Sequence, residues 1–155
     1  MSAAEGHPAP ALDLPTDNGG RVSLSALKGK PAVVYFYPTD DTTGCTREAQ
    51  DFNALTPDFA ALGVPVIGVS RDTVKKHDRF KAKYDLAVVL ASDEDGAACE
   101  AWGVWVQKKL YGREYMGIER ATFLIDADGR VVRAWRNVKV ADHAAAVLEA
   151  ARSLG

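Results

Sequence analysis

Two short apolar runs joined by an amphipathic segment constrain the fold of this chain more than any other feature. The runs, residues 32–37 and 64–70, are rich in β-branched and aromatic side chains, which is typical of strands buried on both faces. Between them, apolar residues recur every three or four positions, as on one face of a helix: Ala49, Phe52, Leu55, Phe59 and Leu62. Because a crossover of this length joins parallel strands, the pattern predicts a right-handed strand–helix–strand unit.

The rest of the chain predicts an α/β fold with a mixed central sheet flanked by helices. Pro57 predicts a bend or break in the first helix. Residues 13–24 predict a leading N-terminal hairpin with a glycine-rich turn, and residues 121–135 predict a second hairpin at the sheet edge. Asp72 is the expected cap of a second helix, and Gly155 the expected end of the last one. The other predicted elements are a strand or extended run over 87–92 and helices over 72–85, 93–104 and 141–155.

Composition restricts the class of protein. With 155 residues, of which 47% are hydrophobic and 26% charged, the chain is expected to form one domain over residues 1–155. The 19 basic and 21 acidic residues give a net charge of -2 without a basic tract, so we expect no nucleic-acid partner. No apolar run approaches the roughly 20 residues that cross a bilayer, and the opening residues lack a signal-peptide pattern. We therefore expect a cytoplasmic protein without a membrane partner.

Cys45 is the residue whose position most indicates chemistry. It follows the first buried strand and opens the first predicted helix. It thus lies beyond the carboxyl end of a central parallel strand, where α/β proteins present reactive groups. The free N–H groups and positive dipole end of a helix N-terminus favour a thiolate there. Thr42, one turn earlier, has a hydroxyl able to bind the thiolate or a bound oxygen atom. Gly44 lets the backbone approach a small substrate, and Pro38 shields the sulfur from water.

Each of these residues also has a purely structural interpretation. A single cysteine is commonly a small buried hydrophobe, Thr42 a helix cap, and Gly44 a turn residue. Two cysteines 54 positions apart and scattered histidines do not form a zinc site, so no metal or other cofactor is expected. The three histidines, which are His7, His77 and His143, are expected at the surface.

Longer stretches carry a resemblance to a known family. Pro38, Thr42 and Cys45 have the spacing P-x-x-x-T-x-x-C, which resembles the active-site signature of peroxiredoxins. Residues 35–52, 92–105 and 117–131 are similar to the bacterioferritin comigratory protein, or Q-type, subgroup. The resemblance covers nearly the whole chain. It implies a thioredoxin-like fold and thiol-dependent reduction of hydrogen peroxide and organic hydroperoxides.

The resemblance also implies roles for individual residues. Cys45 would be the peroxidatic cysteine that becomes a sulfenic acid, with Thr42 as the hydrogen-bonding hydroxyl and Pro38 as the shielding residue. Arg120, which opens the predicted strand at 121–126, would be the active-site arginine. A guanidinium at that end of the sheet favours the thiolate and stabilises charge on peroxide oxygens. An ordinary surface ion pair is the alternative for Arg120.

The chain departs from the subgroup where relatives carry a resolving cysteine. Gln50 and Lys81 occupy the two usual positions, and Cys99 is expected to be a buried helix residue beside Trp102 rather than a resolver. The prediction is one-cysteine chemistry with an external thiol, either thioredoxin or glutaredoxin with glutathione. Q-type relatives are often monomeric, so a monomer is expected. Thr43 stands where relatives commonly have proline.

Two other functions stay open on the residues alone. A thiol–disulfide oxidoreductase normally uses C-x-x-C, which residues 45–48 lack. A non-enzymatic redox sensor, passing oxidised Cys45 to a partner protein as a mixed disulfide, is compatible with a missing resolver. Rapid peroxide consumption by catalytic amounts of protein would favour the enzyme, and stoichiometric oxidation with slow recycling would favour the sensor.

Overall fold

The computed structural model describes residues 3–154, which form nine strands and five α-helices. The strands are β1 (Asp13–Pro15), β2 (Arg21–Ser23), β3 (Ala32–Phe36), β4 (Val66–Ser70), β5 (Val89–Ser92), β6 (Trp105–Leu110), β7 (Arg113–Ile118), β8 (Ala121–Ile125) and β9 (Val131–Trp135). The helices are α1 (Thr43–Ala54), α2 (Thr56–Ala61), α3 (Val74–Tyr84), α4 (Ala97–Ala101) and α5 (His143–Arg152).

The central sheet has five strands in the order β5-β4-β3-β8-β9. Strands β3, β4 and β5 run parallel, whereas β8 pairs antiparallel with β3 and β9 pairs antiparallel with β8. Every residue of β3, β4 and β8 is buried, as the apolar runs predict. The predicted parallel unit and edge hairpin are confirmed, and the mixed sheet flanked by helices is an α/β arrangement.

Two further hairpins lie outside this sheet. The predicted leading hairpin is confirmed, with β1 paired antiparallel to β2. The hairpin of β6 and β7 was not predicted. Its strands are largely exposed and mix apolar with polar residues without a regular alternation, so they contain neither a long apolar run nor a clear period of two.

The helices follow the predicted periodicity with one correction. The break expected near Pro57 is confirmed, because α1 ends at Ala54 and α2 begins at Thr56. The prediction that Asp72 caps α3 is wrong. Thr73 is the cap, and its side chain accepts a hydrogen bond from the Lys76 amide. The carboxylate of Asp72 accepts other hydrogen bonds, described below, and the predicted terminal Gly155 lies outside the described residues.

The sheet separates two apolar cores. Successive side chains of a strand point to opposite faces, so Val33 and Tyr35 enter one core while Val34 and Phe36 enter the other. The first core is closed by α1, α2, α3 and α5, and it contains Cys45. The second contains α4 and residues of the N-terminal segment, and Cys99 lies in it. Among the helices of residues 3–154, none combines the length and apolar character needed to cross a bilayer.

Candidate active site

Cys45 lies in the first turn of α1, directly after the loop of residues 37–42 that leaves β3. Its side chain is buried, with 1% of the residue exposed, and both cysteines are free thiols. Because α1 starts at the carboxyl end of a central strand, the sulfur lies at the end of the sheet that the sequence predicts.

Arg120 reaches Cys45 from a neighbouring strand. Ala121 of β8 pairs with Phe36, the last residue of β3, so the arginine before it lies beside the loop that carries the cysteine. Its Nη2 donates to Cys45 Sγ at 3.3 Å, and its Nη1 donates to Glu48 Oε1 at 2.7 Å. Burial works to lower the pKa of Arg120, but Glu48 and Cys45 outweigh it and raise the pKa above its ordinary value. The guanidinium is therefore a permanent cation held between two acidic groups.

Glu48 is a site residue that the sequence analysis missed. It lies one turn after Cys45 on the same side of α1 and is 1% exposed. Burial raises the pKa of its carboxyl to about 7, although Arg120 opposes that shift. Among the described residues, Glu48 Oε2 has no hydrogen-bond partner. Its spacing of three from Cys45 was the available signal, since residues three apart on a helix share a face.

Gly44 makes room for the guanidinium. A Cβ built on Gly44 would lie 3.2 Å from Nη2 of Arg120, closer than ordinary van der Waals contact. An alanine there would thus push the arginine away from the sulfur. This is a different use of the missing side chain from the close substrate approach that the sequence suggested.

Thr42 occupies the N-cap position of α1, but its hydroxyl is used elsewhere. It donates to the backbone carbonyl of Thr39 at 3.0 Å and makes no capping hydrogen bond with the helix as described. The predicted bond to a thiolate or a substrate oxygen requires that hydrogen to turn away from Thr39. The first amides of α1 consequently have no side-chain cap.

Pro38 lines a surface cavity next to the arginine. The cavity has a volume of about 500 Å³, and its walls are formed by Pro38, Val106, Gln107, Lys108, Glu119, Arg120 and Asn137. Burial and the charge of Arg120 lower the pKa of Lys108. Arg120 therefore contacts the sulfur and also lines an open cavity that the β6–β7 hairpin helps to form.

Cys99 is placed as predicted for a structural residue. It lies in α4 with no exposed surface, in the core that also contains Trp102. Burial, together with the hydrogen bond and charge of Asp93, raises the pKa of its thiol well above the ordinary value. Cys45 and Cys99 belong to cores on opposite faces of the sheet.

The expectation of surface histidines is wrong for two of the three. His7 is exposed, but His77 is 0% and His143 is 7% exposed. His143 opens α5 and shares a hydrogen bond of 2.8 Å between its Nε2 and Thr122 Oγ1. Burial, assisted by the charge of Arg120, lowers the pKa of His143 to about 4. His77 shares the inner face of α3 with Phe80, three residues on, and that spacing was the signal available in the sequence.

Known proteins resemble this chain over most of its length. Residues 6–134 match the model of the AhpC/TSA family. The chain belongs to this family. It is 51% identical over 148 residues to Peroxiredoxin Bcp of Xanthomonas campestris, covering 94% of this chain and 92% of that one. It is 48% identical over 154 residues to Peroxiredoxin Bcp of Bacillus subtilis, covering 99% and 98% of the two chains.

Solved structures agree with this assignment. A cysteine-to-serine mutant of Xanthomonas campestris Peroxiredoxin Q superposes with a TM-score of 0.91 at 48% identity, over 100% of both chains. The bacterioferritin comigratory protein of Xanthomonas campestris, studied for alkyl peroxide reduction, gives a TM-score of 0.87 at 50% identity, over 92% of this chain and 90% of that one. The chain is thus a Bcp, or Q-type, peroxiredoxin with a thioredoxin-like fold, and it is a thiol-dependent peroxidase that uses a peroxide and a thiol reductant.

Proposed function

We propose that Cys45 is the peroxidatic cysteine and that Arg120 is the group that activates it. The observation that carries this assignment is the contact of 3.3 Å between Arg120 Nη2 and Cys45 Sγ at the start of a helix. A nearby cation and a helix N-terminus are the two environments that favour a thiolate. Cys99 has no exposed surface, and among the described residues no cation forms a hydrogen bond with its sulfur.

In the reaction, the Cys45 thiolate attacks one oxygen of a hydroperoxide. The S–O bond forms as the O–O bond breaks, and the other oxygen takes a proton and leaves as water or alcohol. Sulfur is oxidised by two electrons to a sulfenic acid, and the peroxide is reduced. Negative charge grows on the leaving oxygen during this step, so the protein must stabilise it there.

Three groups are suited to that stabilisation. Arg120 is charged and fixed by Glu48, and the amides of Gly44 and Cys45 at the start of α1 lack a side-chain cap. Thr42 contributes its hydroxyl once the hydrogen turns from Thr39. Fixed donors in a dry site stabilise developing charge more effectively than water does. We assign Gly44 to the substrate site because its missing side chain keeps Arg120 within reach.

The substrates are hydrogen peroxide and organic hydroperoxides. The cavity of about 500 Å³ beside Pro38 and Arg120 offers space for an organic group, with Val106 and the proline ring as apolar walls. The Xanthomonas campestris relative studied for alkyl peroxide reduction supports this extension beyond hydrogen peroxide.

Recycling uses an external thiol. Gln50 and Lys81 stand where Q-type relatives commonly have a resolving cysteine, and Lys81 pairs with Asp17 at 2.7 Å. Cys99 is separated from Cys45 by the sheet. The sulfenic acid therefore condenses with a thiol of thioredoxin, or of glutathione with glutaredoxin, giving a mixed disulfide and water. A second thiol then reduces that disulfide. We propose that the chain works in this way as a single-domain monomer in the cytoplasm.

Intact-protein mass spectrometry tests the assignment of both cysteines. Wild type, Cys45→Ser and Cys99→Ser each receive one equivalent of hydrogen peroxide with a sulfenic-acid trap present. We expect a trapped adduct in wild type and in Cys99→Ser, and none in Cys45→Ser. Loss of two hydrogens in wild type, with trapping only in Cys99→Ser, would show instead that Cys99 resolves Cys45.

A further inference from the structure

We propose that His77 is a positioning residue. It is buried and positively charged, and by binding Asp40 it fixes the loop that leads to Cys45. This binding is lost when His77 deprotonates. The inference rests on the proposed role of Cys45 and adds a control over when the cysteine becomes accessible. It concerns a cluster outside the Cys45–Arg120 contact, on the opposite side of the loop of residues 37–42.

The cluster is fully buried and fully hydrogen-bonded. His77 Nδ1 lies 2.6 Å from Asp40 Oδ2, and His77 Nε2 lies 2.9 Å from the carbonyl oxygen of Ala91. The other oxygen of Asp40, Oδ1, accepts a hydrogen bond of 2.6 Å from the Tyr37 hydroxyl. The side chains of His77 and Asp40 both have an exposure of 0%.

These contacts determine the charge of the imidazole. A carbonyl oxygen only accepts, so Nε2 must carry a hydrogen to bond Ala91. A second hydrogen must lie between Nδ1 and Asp40, because two lone pairs facing each other at 2.6 Å would repel. We assign this hydrogen to Nδ1 because a carboxyl group ordinarily has a pKa of about 3.9 and an imidazole one of about 6.5. His77 is then a cation, and Asp40 is its anion. Burial opposes this charge, but the hydrogen bond and charge of Asp40 outweigh it, and the pKa of His77 is raised above 6.5.

Other charges around His77 are already paired. Asp72, which follows β4, accepts a hydrogen bond of 2.8 Å from Lys76 Nζ, and Lys76 precedes His77 on the same helix. Asp17, in the short helical turn before β2, is paired with Lys81 of α3 at 2.7 Å. Tyr37, at the end of β3, keeps its proton because burial raises its pKa well above the ordinary value. Asp40 is therefore the anion that gives His77 its charge.

The pair acts on the active site through the loop. The Asp40 amide donates to Asp72 Oδ2 at 2.8 Å, and the next residue, Asp41, accepts bonds of 2.6 and 2.8 Å from Tyr84 and Lys83. Helix α3 thus binds the loop at an inner point, Asp40, and at an outer point, Asp41. Cys45, four and five residues beyond these points, is 1% exposed, so the loop must open before a bulky thiol reaches the sulfur.

The direction of the pH dependence follows from linkage. In the open loop, His77 returns towards its ordinary pKa of about 6.5. The closed loop binds one proton more than the open loop between that value and the raised pKa. The hold on the loop is therefore complete below about pH 6.5 and is lost as pH rises through the raised pKa of His77. Between these two pKa values, one proton changes the opening constant by up to about tenfold per pH unit, and above the raised pKa the constant levels off.

Nuclear magnetic resonance provides two readouts that do not depend on peroxidase activity. The ¹⁵N shifts of the His77 ring report its protonation, and hydrogen exchange of amides 43–46, corrected for intrinsic rates, reports opening. All proteins carry Cys45→Ser, so that titration of the thiol plays no part. Measurements run from about pH 6.5, the ordinary pKa of His77, to about pH 9.5. Every protein also carries Glu48→Gln, so that the carboxyl whose pKa is about 7 does not titrate in this range. Failure of this test would leave the proposed peroxidase chemistry standing.

Two variants separate the effect of the His77 charge from the effect of the outer hydrogen bonds made by Asp41. In Asp40→Asn, the amide donates to a neutral His77 while its oxygen still accepts from Tyr37, so the pair no longer needs a proton. Tyr84→Phe weakens the outer hydrogen bonds and leaves the pair intact. We expect opening to increase with pH in the parent and in Tyr84→Phe, and to be independent of pH in Asp40→Asn.

Several outcomes would overturn the inference. One is a His77 ring with a single protonated nitrogen at neutral pH. Another is an opening constant in the parent protein that does not change with pH, or one that changes equally in Asp40→Asn. If Asp40→Asn does not fold, the parent decides alone: the midpoint of loop opening must coincide with the titration of His77, and a mismatch would rule the inference out.

Discussion

Arg120 holds two acidic groups with the two arms of one guanidinium. Nη1 is bonded to Glu48 and Nη2 to Cys45, at 2.7 and 3.3 Å. The planar fork of arginine makes both contacts at once, whereas the ammonium of lysine is a single point charge. The orientation of the charge towards the sulfur therefore depends on the second contact with Glu48.

Arg120→Lys should slow the oxidation of Cys45 while preserving a positive charge. Loss of one fixed donor to developing oxygen charge typically costs about 10²–10³-fold in rate. Stopped-flow fluorescence with excess hydrogen peroxide would measure the rate. Arg152→Lys is the control, because Arg152 forms an exposed ion pair with Glu149 on α5, away from the sulfur. An unchanged rate in Arg120→Lys would mean that the fork geometry has no part in the reaction.

Glu48→Gln should change how stability depends on pH. The pKa of Glu48 is raised to about 7 from an ordinary value of 4.5, so the folded state binds the extra proton between these values. The stabilising contribution of that protonation is complete below about pH 4.5 and is lost as pH rises through 7. We expect the stability difference between variant and wild type to move in favour of Glu48→Gln across this range, by up to about 1.4 kcal/mol per pH unit.

Urea unfolding at several pH values would measure this difference. The exposed Glu149→Gln is the matched control, and its difference from wild type should stay nearly constant over the same range. Parallel curves for wild type and Glu48→Gln would contradict the raised pKa of the buried carboxyl.

The sequence predicted the residues whose surroundings are local and missed those whose surroundings are tertiary. Cys45 at a strand-to-helix junction, and Arg120 at the start of a strand, are visible in the order of residues. Glu48 and His77 are charged residues on helices, where solvent exposure is the usual expectation. Their burial depends on Arg120 and Asp40, which lie 72 and 37 positions away in the chain.

At the scale of elements, the start of α1 joins the loop and the cysteine. Thr42 has an extended backbone (φ −88°, ψ 160°), and Thr43 is the first helical residue. Proline is well suited to that first position, because its amide would be unpaired anyway and its fixed φ fits the helix. An extended residue is also what proline requires before it.

Thr43→Pro should therefore stabilise the protein by about 0.4–1 kcal/mol, mainly by restricting the unfolded chain. Urea unfolding would measure the gain. Thr46→Pro is the matched control, because the Thr46 amide donates to the Thr42 carbonyl at 2.8 Å and proline would abolish that bond. We expect the control to be destabilised. A loss of stability in Thr43→Pro would show that its amide or hydroxyl is needed in the loop.

Elements were predictable where one periodicity dominated. Strands β3 and β4 are continuous apolar runs, and the helix between them has a clear apolar stripe. The β6–β7 hairpin lacks such a run, since its apolar residues, such as Leu110 and Tyr115, are exposed and lie next to charged ones. The cap of α3 was assigned one residue too early because Asp72 and Thr73 are both good caps, and only tertiary contacts of Asp72 decide between them.

At the scale of the molecule, the sheet keeps the two cysteines in separate cores. Removal of the buried sulfur in Cys99→Ala should leave a small cavity and reduce the free energy of unfolding by roughly 1–3 kcal/mol. Steady-state turnover with a thioredoxin system should be unchanged under conditions where the variant is folded. Denaturant unfolding and a coupled peroxidase assay would measure the two quantities. A large loss of turnover in the folded variant would mean that Cys99 takes part in recycling.

Under the proposed role of Cys45 and recycling by an external thiol, the burial of Cys45 limits the dose of peroxide that the enzyme survives. A hydroperoxide needs a much smaller opening than a thiol-bearing protein, which must wait until the loop opens. During that wait, a second peroxide can enter by the same route and oxidise the sulfenic acid to the sulfinic acid, which ordinary thiols do not reduce. The rate of loop opening, set against the peroxide concentration, therefore determines the fraction of molecules inactivated in each turnover.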